Sequence, residues 1–204
     1  MGKFLEFVFN RFFLGMIVTA FFWLFTLAGG VVFGLAPASA TLMSLYAEHG
    51  YTYRAYSLKE AWELYKSNFV KSNLAFYSFV FVDLVLVYGL YLLVQLPHQT
   101  IFHLLATFLN VLVVALVFLA YTVSLKLQVY FDLSYQNTVK LSLIGIFMSL
   151  PAIAKVLIGT GLLVGVGYYM PALLFFVGIG VWHFFISDML EPIYESIHEK
   201  LATK

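Results

Sequence analysis

Long apolar runs dominate the chain, and short polar stretches separate them. The runs cover residues 12–28, 31–46, 74–96, 101–125, 141–166 and 171–187. A helix needs about 20 apolar residues to cross the hydrocarbon core of a bilayer. The last four runs meet this length, while the first two are short. The pattern predicts an all-α, polytopic membrane helix bundle with about six transmembrane helices, forming a single membrane domain over residues 1–204.

The stretch 11–46 is too long for one spanning helix, and the pair Gly29–Gly30 divides it near its middle. We interpret residues 12–46 as a hairpin of two short helices that turns at this pair. Each arm is about 25 Å long at ~1.5 Å per residue, slightly less than the ~30 Å hydrocarbon core. The hairpin therefore either crosses the bilayer twice or is re-entrant and stops before the far surface.

Small residues and a proline shape this hairpin. Gly30 and Gly34 have the G-x-x-x-G spacing that lets membrane helices approach closely. Such a face either packs the hairpin internally or forms a dimer seam, which would make the protein a homo-oligomer. Pro37 lacks an amide hydrogen and tends to kink the second arm. The candidate helix-packing residues are Gly29, Gly30, Gly34 and Pro37.

Basic residues indicate the orientation of the bundle. All eleven lysines and arginines except Lys155 flank the apolar runs, and the connections 96–99 and 167–171 contain none. Connections rich in Lys and Arg stay in the cytoplasm. This distribution predicts a multi-pass protein of the cytoplasmic membrane with cytoplasmic N- and C-termini, and it requires residues 12–46 to return to the side on which they start.

Two polar segments are predicted to be cytoplasmic helices. Residues 57–72 are amphipathic and form either an interfacial helix that leads into the next span or a docking helix for a partner. Residues 190–204 form a tail helix whose apolar stripe lies on the membrane or against the first amphipathic helix. The candidate partner-docking residues are Lys59, Trp62, Lys66 and Asn68.

Composition excludes several classes of function. Apolar residues make up 63% of the chain and charged residues 10%, against roughly 25% charged in soluble domains, so the lipid bilayer is the expected surrounding. The net charge of +1 gives no basic footprint for nucleic acid. Cysteine is absent, and no hydrolase, P-loop or zinc-protease signature occurs. We therefore expect no enzymatic activity, no cofactor and no metal site.

Among the polar residues inside the apolar runs, Asp83, Asn110, Lys155 and His183 are the candidates for an intramembrane network. A charge at the bilayer centre costs about 2.5–3.5 kcal/mol on insertion scales, so such residues usually find partners. We predict that Asp83 pairs with Lys155 and that Asn110 or His183 completes the network. The network is either a buried ion pair that fixes helix register or a binding site for a substrate or proton. A third reading has Asp83 protonated and hydrogen-bonded.

Two motifs resemble those of the YesL-like family of bacterial membrane proteins. One lies on the second arm of the hairpin and the other at the entry to the third helix. The matching residues are Gly34, Pro37, Ala38, Thr41, Leu42, Trp62, Tyr65, Lys66, Asn68, Phe69, Ser72 and Asn73. The chain departs from the family at Ser39 and Ala40, and at Thr19, Phe21 and Phe22, where asparagine is common.

This resemblance implies a bacterial inner-membrane protein with an accessory role in carbohydrate uptake, and it carries over no catalytic residue. The first functional hypothesis is accordingly an accessory or interaction component whose partner is a carbohydrate transporter subunit. The alternative is a small solute transporter that uses a midplane polar site around Asp83 and Lys155.

Overall fold

A computed structural model describes residues 2–97, 100–131 and 133–202. Eight helices follow one another in this part of the chain: α1 Gly2–Ala28, α2 Leu35–His49, α3 Leu58–Val94, α4 Ile101–Tyr130, α5 Tyr135–Met148, α6 Leu150–Tyr169, α7 Pro171–Met189 and α8 Glu191–Ala202. A 3-10 turn at Tyr53–Ala55 precedes α3, and α7 contains a π-helical turn at Leu174–Gly178. The fold is an all-α bundle of membrane type.

Five helices of the described residues are long and apolar enough to cross a membrane, namely α3, α4, α6, α7 and the Phe9–Ala28 part of α1. The sixth predicted span corresponds to α2, which has 15 residues. At ~1.5 Å per residue it is about 22 Å long, shorter than the ~30 Å hydrocarbon core.

The short helix α2 lies at the centre of the bundle. Every residue from Ala36 to Tyr46 except Ser39 is buried. Ala40 and Met43 on one face join an apolar cluster built from α3 to α8. Leu42 on another face joins a second cluster, formed mainly by α1 and the start of α3. The two clusters that make up the core therefore meet through α2.

The turn between α1 and α2 covers residues 29–34. Gly30 has φ of 69° and Val31 has φ of 66°, the left-handed region that glycine tolerates and β-branched residues rarely adopt. A Cβ on Gly29 would overlap Gly34, and one on Gly34 would overlap the backbone of Thr26. These glycines therefore allow α1 and α2 to approach within the hairpin.

Pro37 does not kink the second arm as predicted. The helix α2 begins at Leu35, so Pro37 stands in its first turn, where the backbone N–H groups have no helical acceptor.

The helix α3 joins two segments that were predicted to be separate. Residues 57–72 and 74–96 were assigned to an amphipathic helix and a span, but Leu58–Val94 is one helix of 37 residues. The change in composition near residue 73 is not a break, because no proline or glycine interrupts the backbone hydrogen bonds there. The amide of Asn73 donates to the Phe33 carbonyl at 2.9 Å, and the hydroxyl of Tyr77 donates to the Val32 carbonyl at 2.7 Å. This stretch of α3 therefore braces the turn of the hairpin.

The predicted helix over 141–166 is divided between α5 and α6 at Ser149, whose φ of −145° and ψ of 81° are not helical. Pro151 explains the division, because proline lacks an amide hydrogen and its ring clashes with the carbonyl four residues earlier. The new helix then has its proline in the first turn, where this loss has little effect.

The tail helix α8 covers Glu191–Ala202, and positions 203–204 of the predicted 190–204 helix lie outside the described residues. Its Ile193 and Ile197 are buried against α5, where Gly145 leaves room for them. The stripe is thus covered by α5 rather than by the membrane or the first amphipathic segment.

Residues 80–94 of α3 and 101–118 of α4 form what we call the arm. These two antiparallel stretches pack on each other, and none of their residues is buried. Burial on α3 ends at Phe79 and begins on α4 at Leu119. The arm is therefore a two-helix extension of the bundle, about 22–27 Å long at ~1.5 Å per residue.

Candidate functional site

The four residues of the predicted intramembrane network lie in separate parts of the bundle. Asp83 and Asn110 lie on the arm, Lys155 is exposed on α6, and His183 is buried on α7. No ion pair joins Asp83 to Lys155 in the described part of the chain. The two residues do not meet because α6 packs mainly against α7, whereas this part of α3 packs against α4.

Asp83 and Asn110 place polar atoms inside the arm. The Oδ1 atoms of both residues are enclosed, and no hydrogen-bond donor of the described residues reaches either of them. Asn110 lies beside Gly89 on the facing helix of the arm, and a Cβ at Gly89 would be 3.5 Å from the Asn110 side-chain nitrogen, an ordinary contact distance. Asp83 is the only Asp, Glu, Lys or Arg between Lys71 and Lys126. The arm thus carries one carboxyl group, and the hydrogen-bonding capacity of that group is incompletely used.

His183 is 1% exposed and belongs to the wall of a cavity. Its Nδ1 lies 2.7 Å from the carbonyl of Ile179. A carbonyl only accepts, so Nδ1 carries the hydrogen, and in the neutral ring Nε2 is an acceptor. No donor of the described residues reaches Nε2.

Lys126, the first residue after the apolar run 101–125, is a buried charged residue of the bundle. Lys126 is 1% exposed. Its ammonium group donates hydrogen bonds to the Ser187 carbonyl and to a carboxylate oxygen of Glu191, both at 2.5 Å. The same ammonium lies 4.9 Å from the ring centre of Tyr130. Because α4 extends to Tyr130, Lys126 is one turn inside the helix and faces the junction of α7 and α8.

Asp188, near the same junction, accepts hydrogen bonds from two tyrosine hydroxyl groups. The hydroxyl of Tyr46 donates to one carboxylate oxygen, and the hydroxyl of Tyr51 donates to the other at 2.8 Å. The guanidinium of Arg11 lies over the Tyr51 ring. The start of α1, the end of α2 and the end of α7 are therefore tied together at one end of the bundle, the end predicted to be cytoplasmic.

A polar cavity of about 370 Å³ opens at this end, between α2, α3 and α4. Gln128 is 6% exposed, and its Oε1 has no hydrogen-bond partner among the described residues. The amide of Asn68 reaches the Ser44 hydroxyl at 3.4 Å. The polar residues of the wall are Ser44, Glu48, Ser67, Asn68, Gln128 and Tyr130.

Asn68 therefore faces inward, unlike the other three candidate docking residues. Lys59, Trp62 and Lys66 are exposed on the outer face of α3, with Trp62 43% exposed. The residues that turn inward from this half of α3, such as Tyr65, pack against the hairpin. The docking surface predicted from the sequence is thus reduced to the two lysines and the tryptophan.

Glu48, His49 and Glu60 bring three possible ligand atoms within 4.8 Å of one another, a grouping that could hold a metal ion. The atoms also satisfy each other, since His49 Nε2 lies 2.7 Å from a carboxylate oxygen of Glu60. A hydrogen bond with Glu60 and partial burial raise the pKa of the Glu48 carboxyl, while His49 acts in the opposite direction. Sequence spacing did not reveal this group, because Glu60 comes from the next helix.

The comparisons with curated proteins and with solved structures found no match. Residues 16–90 match the profile of a family described as "Protein of unknown function, DUF624". The matched stretch covers most of α1, all of α2 and α3 as far as Leu90.

Proposed function

We propose that this protein is an accessory component of the bacterial cytoplasmic membrane that packs its arm against the spanning helices of a partner protein. The partner that the YesL-like resemblance favours is a carbohydrate transporter subunit. The proposed role needs no catalytic step and no cofactor, and it keeps both termini in the cytoplasm.

The observation that carries the proposal is the arm itself. Two helices that pack mainly on each other leave most of their surface open, and in α3 and α4 only 6% and 11% of the most apolar stretch is buried, against 39% in α1 and α7. Lipid can cover apolar side chains, but it supplies no hydrogen-bond donor at the depth of Asp83. The Asp83 Oδ1 is enclosed, but the side chain as a whole is partly exposed, so a donor on another membrane helix can approach the carboxyl group from its exposed part.

The alternative role as a small solute transporter has less support. It requires Asp83, Asn110, Lys155 and His183 to share a site, and these residues lie apart. The walls of five cavities formed by the described residues contain neither Asp83 nor Lys155.

Site-specific photocrosslinking tests the proposal in membranes of the producing bacterium. A photoreactive residue replaces Leu84, which is 63% exposed on the arm, and in the control it replaces Leu162, which is 66% exposed on α6. We expect the first position to give an adduct with a polytopic transporter subunit identified by mass spectrometry, and the second to give none.

Asp83→Leu then probes the polar contact. An interhelical hydrogen bond in a membrane contributes about 0.6–2 kcal/mol, so the adduct should fall by roughly 3- to 30-fold, and Asp83→Asn should retain more of it. Equal labelling at the two positions would mean that lipid covers the arm. An adduct between two copies of this protein would show that the arm contacts a second copy of the chain, not the proposed transporter subunit.

A further inference from the structure

A large apolar cavity lies between α1, α6 and α7, away from the polar end of the bundle, and Phe118 at the inner end of the arm contributes to its wall. Its volume is about 530 Å³, within the range of small-molecule sites. Aromatic side chains such as Phe22, Trp23 and Phe118 form much of its wall. On one side stand Val164, which is 61% exposed, and Phe175, which is 50% exposed. Since these surfaces face the surroundings of a membrane helix bundle, the cavity opens towards lipid.

Hydrogen bonds hold the aromatic walls in place. The indole N–H of Trp23 donates to the Phe175 carbonyl at 3.0 Å, and the two rings stack with centres 4.8 Å apart. The indole N–H of Trp182 donates to the Thr160 hydroxyl oxygen at 3.1 Å. A wall whose side chains are fixed in this way requires little reorganisation when a ligand enters.

His183, one of the wall residues, has an enclosed atom with unused hydrogen-bonding capacity. His183 holds its Nδ1–H on the carbonyl of Ile179, so its Nε2 presents a lone pair, and no donor of the described residues satisfies it. An unpaired buried acceptor is costly, and pairing it with a donor is correspondingly favourable. The chemistry that fits is an apolar chain ending in a group that donates a hydrogen bond.

Charge narrows the class further. No Lys, Arg, Asp or Glu of the described residues lines this cavity. A carboxylate or phosphate would be desolvated without a counter-ion and would offer only acceptors to Nε2. An ammonium would likewise lose its hydration without compensation. A neutral hydroxyl avoids both costs.

We propose that this cavity binds a membrane lipid with a free hydroxyl group, the hydroxyl donating to Nε2 of His183 and the apolar chain lying against Trp23, Phe118 and Trp182. A long-chain isoprenoid alcohol and a diacylglycerol share this chemistry. The inference stands independently of the proposed partner of the arm.

Tryptophan fluorescence gives a direct assay. The chain has three tryptophans, and two of them, Trp23 and Trp182, line the cavity. The third is removed by Trp62→Phe. Purified protein in nanodiscs is titrated with brominated farnesol and brominated diacylglycerol, and each is compared with its own methyl ether, which has the same chain but no hydroxyl donor. We expect saturable quenching by at least one alcohol, on the order of threefold to tenfold tighter than by its ether.

Two variants assign the effect to the cavity. His183→Phe removes the acceptor but keeps a ring, so the alcohol and the ether should then bind equally. Val164→Phe narrows the open side without adding a fluorophore and should weaken the binding of both ligands. Equal binding of alcohol and ether by the parent protein, or quenching that does not saturate, would overturn the proposal even if neither variant folds. Preference for one alcohol identifies the source of the hydroxyl as isoprenoid or glycerolipid.

Discussion

Replacing Lys126 by methionine and Glu191 by alanine, singly and together, tests how the buried ammonium is held. Methionine fills most of the space of the lysine stem but leaves the Ser187 carbonyl without its donor. Ser187 is 1% exposed, so water does not readily replace that donor. An unsatisfied buried acceptor costs about 1–3 kcal/mol, and we expect about 2 kcal/mol for Lys126→Met.

Glu191→Ala acts differently, because it leaves the cation buried with fewer partners. Removing one partner of a buried ion pair costs about 3–5 kcal/mol. The Glu191 side chain is 44% exposed, so solvent screens part of this interaction, and the Ser187 carbonyl remains. We therefore expect about 2–3 kcal/mol for Glu191→Ala.

The double variant shows how much of each loss comes from the interaction between Lys126 and Glu191 itself. Once Lys126 is methionine, losing Glu191 removes only its favourable position in the first turn of α8, about 0.3–1 kcal/mol. The two single effects should therefore not add, and the coupling between them should be about 1–2 kcal/mol.

Thermal unfolding in a mild detergent, followed by tryptophan fluorescence, measures these changes. At roughly 2–4 °C per kcal/mol for a chain of this size, each single variant should lower the apparent Tm by about 4–12 °C. The matched controls are Lys140→Met and Glu195→Ala, which remove the same charges from exposed positions. Additive losses in the double variant, or single variants that melt with their controls, would refute the buried pair.

Two further variants test other parts of the fold. Gly34→Ala should lower the apparent Tm by several degrees, since its methyl group would overlap the Thr26 backbone, whereas Gly161→Ala, with no atom within 4 Å of the added carbon, should leave it unchanged or slightly raised. Glu48 has a raised pKa in the folded state, so its contribution to stability is present at low pH and lost as pH rises through that pKa. In melts across pH, Glu48→Gln should match the parent at about pH 4, below the ordinary glutamate pKa, and exceed it near pH 7.5. A constant difference between the two curves would contradict this assignment.

The helices could be predicted from the sequence where a local cause acts alone. The hairpin over 12–46 and its turn follow from an overlong apolar run and a glycine pair, and the structure places Gly30 at φ of 69° in that turn. The division at Ser149 also has a local cause, which is Pro151. Because the apolar run continues across this proline, hydropathy alone predicts one helix where the structure has two. Near residue 73 the change from polar to apolar sequence predicts the end of one helix, but the helical backbone of α3 continues through this point.

The residues of the candidate site could not be paired from the sequence, because their partners are set by helix packing. Asp83 and Lys155 were matched as opposite charges within apolar runs, but α3 and α6 do not bring them together. Lys126 finds Ser187 and Glu191 more than 60 positions later, through the contact of α4 with the junction of α7 and α8. The sequence feature that indicates the position of Lys126 is the continuation of the helix from Leu125 to Tyr130, which places the lysine inside a helix rather than in a connection.

The central position of α2 explains why the resemblance is concentrated in the first part of the chain. A helix about 22 Å long cannot be stabilised by lipid along its whole length, so other helices must enclose it. The turn at residues 29–34, braced by Asn73, lets α1 and α3 enclose α2 from one side, and Met43 and Leu42 then face different clusters of the core. The matched residues 16–90 include this assembly, whereas α5 to α8, which complete the other cluster, lie outside the match. The motif residues Gly34 and Asn73 thus act in building the scaffold, and functional contacts are better sought on the arm and in the lipid-facing cavity.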